Sequence, residues 1–199
     1  MNRREILRYT AYLTGAAISA PVASALLSGC KADTAMAAEA YTPKFFGEDE
    51  FGFISRVADL MIPSDGTPGA LDVGVPATMD KMVAEVFGAE AQAASREGIG
   101  LLMAKMNADG FAEKSDDEAL AYLQEMDEMF KNRDTDWAAK SENEQAIRDT
   151  YFEVKSSVIG SYFGSEEVAT TMLAYEPVPG EYIPCGDLQE LTGGKAWAI

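Results

Sequence analysis

The chain has 199 residues, 33 of them acidic and 16 basic, a net charge of −17 at pH 7, and no histidine. The absence of histidine removes the commonest metal ligand and general base, and with them His-ligated haem and any Ser-His-Asp triad. Two cysteines are too few for an iron–sulfur cluster, neither nucleotide-binding glycine motif occurs, and no basic stripe favours nucleic acid or lipid headgroups.

Residues 1–29 are predicted to form an export leader. Arg3 and Arg4 precede a weakly apolar segment, residues 9–27, which polar residues and a proline interrupt too often for a stable membrane span. The stretch NRREILR resembles the twin-arginine consensus S/T-R-R-x-F-L-K, so Arg3 and Arg4 are predicted to engage the twin-arginine translocase. That route carries folded proteins, usually because a cofactor is inserted before export. The alternative is an ordinary leader that exports the unfolded chain.

A lipid attachment site is predicted where the leader ends. Leu27-Ser28-Gly29-Cys30 resembles a lipobox, in which Cys30 becomes the acylated N-terminus of the mature chain. The alternative is cleavage near Ala35-Met36-Ala37, which would remove Cys30. Residues 30–42 are rich in small residues and are predicted to form a flexible tether. We therefore expect a periplasmic protein that reaches the membrane only through a lipid or through its complex.

Residues 43–175 are predicted to form one compact all-α domain of about five to six helices. Apolar residues recur at helical spacing, and no stretch alternates convincingly as a strand does. The first helix is predicted to start at Thr42-Pro43 and to stop at Pro63, before a turn-rich loop at residues 64–76. Later helices are predicted to start at Pro76, Ser115-x-x-Glu118, Ser141-x-x-Glu144 and Ser165. Helix ends are predicted at Gly88, Gly110 and Tyr175.

The apolar faces of these helices supply the candidate core. Its members are Phe51, Ile54, Val57, Ala58, Met61, Met79, Met82, Val83, Val86, Phe87, Ile99, Leu102, Met103, Met106, Leu120, Leu123, Met126, Phe130, Ile147, Tyr151, Val154, Val158, Tyr162 and Phe163. The ten methionines of the chain lie mainly on these faces. They serve either as adaptable core filler or as a pliable surface for a partner.

Residues 176–199 are predicted to form an extended C-terminal tail. Prolines alternate here with large side chains, in the order Tyr175, Pro177, Pro179, Tyr182, Ile183 and Pro184. The prolines exclude a helix over residues 176–184, and a stiff extended segment loses little entropy when it binds a surface. The tail either wraps its own helical core or lies on a partner, and the two are compatible.

Cys185 lies in this tail between Pro184 and Gly186, in a predicted loop. An unpaired cysteine in an exported protein suggests an intermolecular disulfide or a free thiol. Three interpretations stay open, namely a buried inert cysteine, a disulfide to another subunit, and a reactive thiol. The last is the least favoured because the chain offers no histidine as a base.

Carboxylates are the remaining candidates for chemistry. Asp65, Asp72 and Asp80 could in principle serve a self-sufficient enzyme, but turns and helix starts are their expected places, because negative charge is favourable there. Asp134-x-Asp136 supplies only two carboxylates, well short of the six to eight oxygens that Ca²⁺ takes. We therefore predict no catalytic, metal-binding or cofactor-binding residue in this chain.

Four features in this order resemble the gluconate 2-dehydrogenase subunit 3 family. They are the twin-arginine leader, the helix from Thr42-Pro43 to Ile62-Pro63, the turn DGTPGALDVGVP at residues 65–76, and the tail YEPVPGEYIPCG at residues 175–186, which closes in Lys195-Ala196-Trp197. The stretches TPGALDVGVP and YEPVPGEY are the specific ones. The lipobox is a departure, since not every relative has one.

The resemblance implies a small, cofactor-free subunit of a membrane-associated dehydrogenase complex of the periplasm. The large subunit is a glucose–methanol–choline type flavoprotein, which holds FAD and oxidises gluconate, other sugars, polyols or glycosides. A multihaem cytochrome c with haem c commonly takes the electrons. The small subunit supports maturation of the large one and provides the export signal for both. In some relatives the tail cysteine bridges to the large subunit, which would give Cys185 that role.

The favoured hypothesis is therefore a non-catalytic accessory subunit. Its helical body docks on the folded flavoprotein and its tail clasps it, with Tyr175, Pro177, Pro179, Tyr182, Ile183 and Trp197 as the interface candidates. The alternative is a stand-alone periplasmic lipoprotein that binds a ligand or scaffolds an envelope assembly.

Overall fold

The computed structural model describes residues 41–178, 180 and 183–198. The predicted export residues Arg3 and Arg4, the lipidation candidate Cys30, and the tail residues Pro179 and Tyr182 lie outside the described residues. In the described part the secondary structure is helical, and the all-α prediction is confirmed. The helices are α1 (Glu48–Met61), α2 (Val75–Glu85), α3 (Ala89–Ala108), α4 (Asp116–Lys131), α5 (Glu142–Phe163), α6 (Glu166–Thr171) and α7 (Leu188–Thr192).

The predicted start of the first helix at Thr42-Pro43 is wrong. Helix α1 begins at Glu48, with Gly47 as its N-cap. The reason lies in α2, where the carboxylate of Asp80 accepts hydrogen bonds from the backbone N–H groups of Lys44, Phe45 and Phe46 at 2.7–3.0 Å. These three N–H groups are therefore bonded to a side chain of another helix, and residues 44–46 do not form the first turn of α1.

The starts of α4 and α5 agree with the predicted capping boxes. Ser115 accepts the backbone N–H of Glu118, and the Glu118 carboxylate in turn accepts the backbone N–H of Ser115 at 3.0 Å. Ser141 and Glu144 repeat this arrangement at the start of α5. Each box pairs two backbone donors that would otherwise have no partner within the helix.

Helix α5 is the centre of the fold. It packs against α1, α2, α3 and α6, and α1 also contacts α2, α3 and α4. The fully buried large side chains that join these helices are Ile54, Val75, Leu102, Met106, Phe111, Val158 and Val168. Around Phe130, the rings of Trp137, Tyr151 and Phe152 pack edge-on, with centroids 5.4–6.4 Å away. Such edge-to-face geometry is favourable for aromatic rings.

Several residues of the candidate core are not buried. Leu120 was expected to point inward, but it is exposed, and Ala119 next to it is buried in its place. Met82, Val86 and Phe87 are also exposed, although Met79 and Val83 of the same helix are in the core. Helix α2 ends at Glu85, so Val86 and Phe87 follow the helix and do not continue its buried face.

The loop between α1 and α2 contains the TPGALDVGVP stretch and is closely packed. A Cβ atom on Gly69 would lie 2.7 Å from the backbone nitrogen of Ser64, so only glycine fits there. Ala70 is fully buried, and the Tyr162 hydroxyl donates to the carbonyl of Pro68 at 2.8 Å. Because α5 reaches the loop through Tyr162, the loop is part of the helical body.

The end of the chain is less extended than predicted. Helix α6 ends at Thr171 and does not continue to Tyr175. The backbone of Ala174 then pairs with the C-terminal segment, with its N–H on Ala196 O at 2.8 Å and its carbonyl accepting Ala198 N–H at 3.0 Å. Between these points lies the short helix α7, capped by Asp187.

No helix in the described part of the chain has the length and hydropathy of a membrane span.

Candidate partner-binding surface

A groove of about 1130 Å³ lies between α2, α3 and α5. Large apolar side chains line it from all three helices and from the segments that flank α1 and α2. They are Phe46, Met79, Met82, Val83, Phe87, Ile99, Phe152 and Val154. Of these, Met82 is 47% exposed and Phe87 is 41% exposed. The other apolar side chains of the lining are largely buried, so Met82 and Phe87 supply most of the apolar surface that the groove exposes to solvent.

Small side chains line the groove between the large ones. On α3 they recur at helical spacing, so that one face of the helix carries almost no side-chain bulk. The small residues are Ala91, Ala94, Ser95 and Gly98 on α3, with Ala146, Ser156, Ser157, Gly160 and Ser161 on α5. Small residues allow another backbone to approach a helix closely.

Gly98 and Thr150 fix the close approach of α3 and α5. A Cβ atom on Gly98 would lie 2.2 Å from Thr150 Oγ1, which is far inside van der Waals contact. Gly100, two residues further along α3, has nothing within 4 Å of the corresponding position. The two helices therefore touch at Gly98, and the glycine there sets the position of both groove walls.

The charged side chains that line the groove are all acidic. They are Glu97 on α3 with Asp149 and Glu153 on α5. Asp149 Oδ1 lies 3.0 Å from Arg148 Nη1. Among the described residues, neither Glu97 nor Glu153 forms a salt bridge. The groove thus combines apolar walls with a negative rim, a composition suited to an apolar partner that carries positive charge.

A second exposed apolar surface belongs to the C-terminal tail. Its large exposed side chains are Tyr175, Val178, Ile183, Leu188, Leu191 and Trp197. Trp197 is 47% exposed even though its backbone forms a bridge with Ala174. Lys195 Nζ donates to the carbonyl of Thr171 at 2.9 Å and fixes the tail further to the end of α6. The backbone of the tail is therefore hydrogen-bonded to the segment that follows α6, while its apolar side chains are exposed to solvent.

Cys185 lies on this surface with its side chain exposed. Its φ of 55° is in the left-handed region, which residues with a Cβ seldom adopt. The next residue, Gly186, packs so closely that a Cβ there would lie 2.6 Å from Leu191 Cδ1 of α7. Of the three interpretations left open for Cys185, the buried inert cysteine is excluded, because the residue is exposed.

The family model for gluconate 2-dehydrogenase subunit 3 matches residues 48–180. That range is about two thirds of the 199-residue chain and runs from the start of α1 past α6. The chain belongs to the gluconate 2-dehydrogenase subunit 3 family. Neither a curated protein nor a solved structure matches the chain significantly.

Membership in the gluconate 2-dehydrogenase subunit 3 family agrees with the resemblance described from the sequence. The family description places the chain in a multi-subunit dehydrogenase complex, and a third subunit indicates an accessory rather than a catalytic role. The groove lies mostly within the matched range, whereas Cys185 and Trp197 lie beyond it.

Four of the predicted interface residues of this family member lie within the described residues, and all four are exposed. Tyr175, Pro177, Ile183 and Trp197 are exposed, as a role in binding a partner requires. The groove is not evident from the sequence, because most of its large apolar residues follow the same helical spacing as core residues. The spacing of Ala91, Ala94, Ser95 and Gly98 is the signal that could have revealed it.

The carboxylates considered for catalysis have structural roles. Asp65 accepts the Thr67 hydroxyl in the loop, and Asp72 accepts the Gly69 N–H at 2.7 Å, which lowers the pKa of the Asp72 carboxyl. Asp80 is fully buried in the middle of α2, so its predicted place at a helix start is wrong. Within the described ranges no three His, Cys, Asp or Glu side chains form a group that could hold a metal ion.

Proposed function

We propose that this chain is the non-catalytic small subunit of a periplasmic flavin-dependent dehydrogenase that oxidises gluconate, another sugar or a glycoside. It supports maturation of the catalytic subunit, its export in the folded state and its attachment to the membrane. The match to the subunit 3 family over residues 48–180 carries this proposal. Two exposed apolar surfaces on one small domain support it, since both are suited to contact with a larger protein.

In this proposal the catalytic chemistry belongs to other chains. FAD is held by a large subunit of the glucose–methanol–choline type, and a multihaem cytochrome c with haem c accepts the electrons. The small subunit contributes surface rather than reactive groups. Its helical body docks on the large subunit and its tail clasps the same partner through Tyr175, Pro177, Ile183 and Trp197.

The leader gives this subunit its part in export. Arg3 and Arg4 engage the twin-arginine translocase, so the flavoprotein crosses the membrane folded and with FAD already bound. Cys30 then carries the lipid that holds the complex at the membrane. The leader is of the type that exports folded proteins, yet this chain offers no evident cofactor site. Both facts are explained if the cofactor belongs to the partner.

Co-export is tested by expressing the catalytic flavoprotein together with this chain carrying Arg3→Lys and Arg4→Lys. We expect flavin-dependent dehydrogenase activity to accumulate in the cytoplasm and to be lost from the periplasm. The control is the unaltered pair in the same host. Normal periplasmic activity with the double variant would show that this leader does not export the enzyme.

Cys185 is proposed to form a disulfide with the large subunit, and its exposed side chain supports this role. On a non-reducing gel, the purified complex should run as one covalent species that reductant separates into two chains. Cys185→Ser should abolish that species, whereas Cys30→Ser should keep it. Two separate chains from the unaltered complex under non-reducing conditions would rule the disulfide out.

A further inference from the structure

We propose that the groove between α2, α3 and α5 receives one helix of the catalytic subunit, about four turns long, with an apolar inner face flanked by lysine or arginine. This inference rests on the proposed function, because it names the element through which the large subunit docks. It goes beyond the tail contacts by assigning a separate docking site on the helical body.

The lining of the groove favours a helix as the occupant. Ala91 and Ala94, both exposed, lie on α3 before its contact with α5 at Gly98, and Ser157 and Gly160, also exposed, follow one face of α5. Two such faces leave room between them for the side chains of a third helix, in the way that ridges on one helix fill the grooves of others. Exposed Met82 and Phe87 border that space, and methionine adapts to the shape of a partner.

The dimensions of the groove set the length of the occupant. Along α5 the lining runs from Ala146 to Ser161. At about 1.5 Å of rise per residue, this distance is roughly 22 Å, which is the length of a helix of about 15 residues. An amphipathic helix of that length presents an apolar stripe at positions i, i+3, i+4 and i+7.

Charge defines the flanks of the occupant and argues against a second copy of this chain. The lining has three carboxylates, Glu97, Asp149 and Glu153, and it includes neither lysine nor arginine. Asp149 is paired with Arg148 at 3.0 Å, but among the described residues Glu97 and Glu153 form no salt bridge, so their charge is left uncompensated. A second copy would bring further carboxylates to the same place, since the chain carries a net charge of −17. A partner helix with basic flanks removes both problems.

The first test reverses the charge of the groove. The full chain with Asp149→Lys and Glu153→Lys is co-expressed with the catalytic flavoprotein, and affinity between the purified subunits is measured. The matched control carries Glu125→Lys and Glu128→Lys, which change the charge equally on exposed positions of α4. We expect the groove variant to bind at least about tenfold more weakly and the control to bind as the unaltered chain does.

The second test identifies the occupant directly. A photoreactive phenylalanine analogue is placed at Ser157, which is exposed and lines the groove. Irradiation of the complex should join the probe to an apolar helix of the flavoprotein that carries basic residues, as read by mass spectrometry of the linked peptides. A link to a second copy of this chain, or to a flavoprotein segment without basic residues, would overturn the proposal.

The outcomes separate this inference from the proposed function. If the unaltered chain binds the flavoprotein and the groove variant binds equally well, the groove is not the docking site but the accessory role stands. If the unaltered chain forms no complex with the flavoprotein, both proposals fail. Circular dichroism of each variant confirms that a loss of binding does not come from a loss of fold.

Discussion

The carboxylate of Asp80 accepts the backbone N–H of Phe46 at 2.8 Å, and both residues are buried. This bond joins the segment before α1 to the middle of α2, since Lys44 and Phe45 donate to the same carboxylate. Arg96 of α3 adds a further attachment through the carbonyl of Phe45 at 2.7 Å. The segment that follows the predicted tether is thereby fastened to two walls of the groove.

Asp80→Ala is expected to destabilise the domain strongly. Three backbone donors would lose a charged acceptor, and buried hydrogen bonds to charged groups contribute enough that the loss should be at least about 3 kcal/mol. Urea denaturation followed by circular dichroism measures this change. Asp59→Asn, at an exposed position of α1, is the control and should change stability by less than about 0.5 kcal/mol. A small effect of Asp80→Ala would mean that these hydrogen bonds do not hold the segment.

Two glycines of α3 are expected to respond oppositely to the same substitution. Gly100→Ala should stabilise the domain by about 0.5–1 kcal/mol, because alanine is the better helix former and nothing lies near the added methyl group. Gly98→Ala should destabilise it by about 1–3 kcal/mol, because its Cβ would collide with Thr150.

The collision with Thr150, as the cause of this difference, can be tested directly. Thr150→Ala removes Oγ1, the atom in the closest contact, together with Cγ2, so the double variant with Gly98→Ala should recover part of the loss. A double-mutant cycle from thermal or urea unfolding measures this coupling. Additive effects of the two substitutions would contradict the contact between α3 and α5 as the cause.

The contribution of Asp127 to stability is expected to depend on pH. Burial raises the pKa of this carboxyl, but hydrogen bonds from Lys131 and Lys155 outweigh that effect and hold the pKa below its ordinary value of 3.8. A carboxyl with a lowered pKa stabilises the fold fully above about pH 4 to 5, and this contribution is lost as the pH falls through the folded-state pKa.

Asp127→Asn should therefore lower the free energy of unfolding by about 1.5–3 kcal/mol at pH 7. The difference in this free energy between the variant and the unaltered chain should narrow as the pH falls below 4. Urea unfolding at pH 7, 5 and 3 follows this gap. Glu125→Gln, on the exposed side of the same helix, should show no such dependence. A constant difference across the three pH values would exclude the ionised carboxylate as the source.

The two tryptophans of the chain should report separately on partner binding. Trp197 is exposed in the tail, whereas Trp137 packs against Phe130 and under the guanidinium of Arg148. In a chain labelled with 5-fluorotryptophan, the ¹⁹F resonance of Trp197 should shift on addition of the proposed flavoprotein partner and that of Trp137 should not. Trp137→Phe assigns the two signals. An unmoved Trp197 resonance in a formed complex would remove the tail from the interface.

The sequence predicted most of the helices because their signals are local. The capping boxes at Ser115 and Ser141 depend on residues three positions apart, and both helices start where predicted. The start of α1 could not be predicted in this way, since it depends on Asp80, more than thirty residues further along the chain. Long-range hydrogen bonds of this kind override a local signal such as Thr42-Pro43.

The candidate site could also be predicted only where its signal is local. A proline-rich tail is recognisable from composition, so Tyr175, Ile183 and Trp197 were identified and are exposed. Helical periodicity shows that a residue lies on an apolar face but not whether another element covers that face. Met82 on α2 and Phe87, which was predicted to lie on the same apolar face, are open to solvent beside the groove.

The pairing of Ala174 with Ala196 and Ala198 makes the tail a loop with both ends at one place. Insertions or deletions between these ends would leave the anchoring strand-like bridge untouched, because its hydrogen bonds lie outside the altered stretch. A reporter sequence introduced near Gly180 is therefore expected to leave both the helical domain and its groove intact.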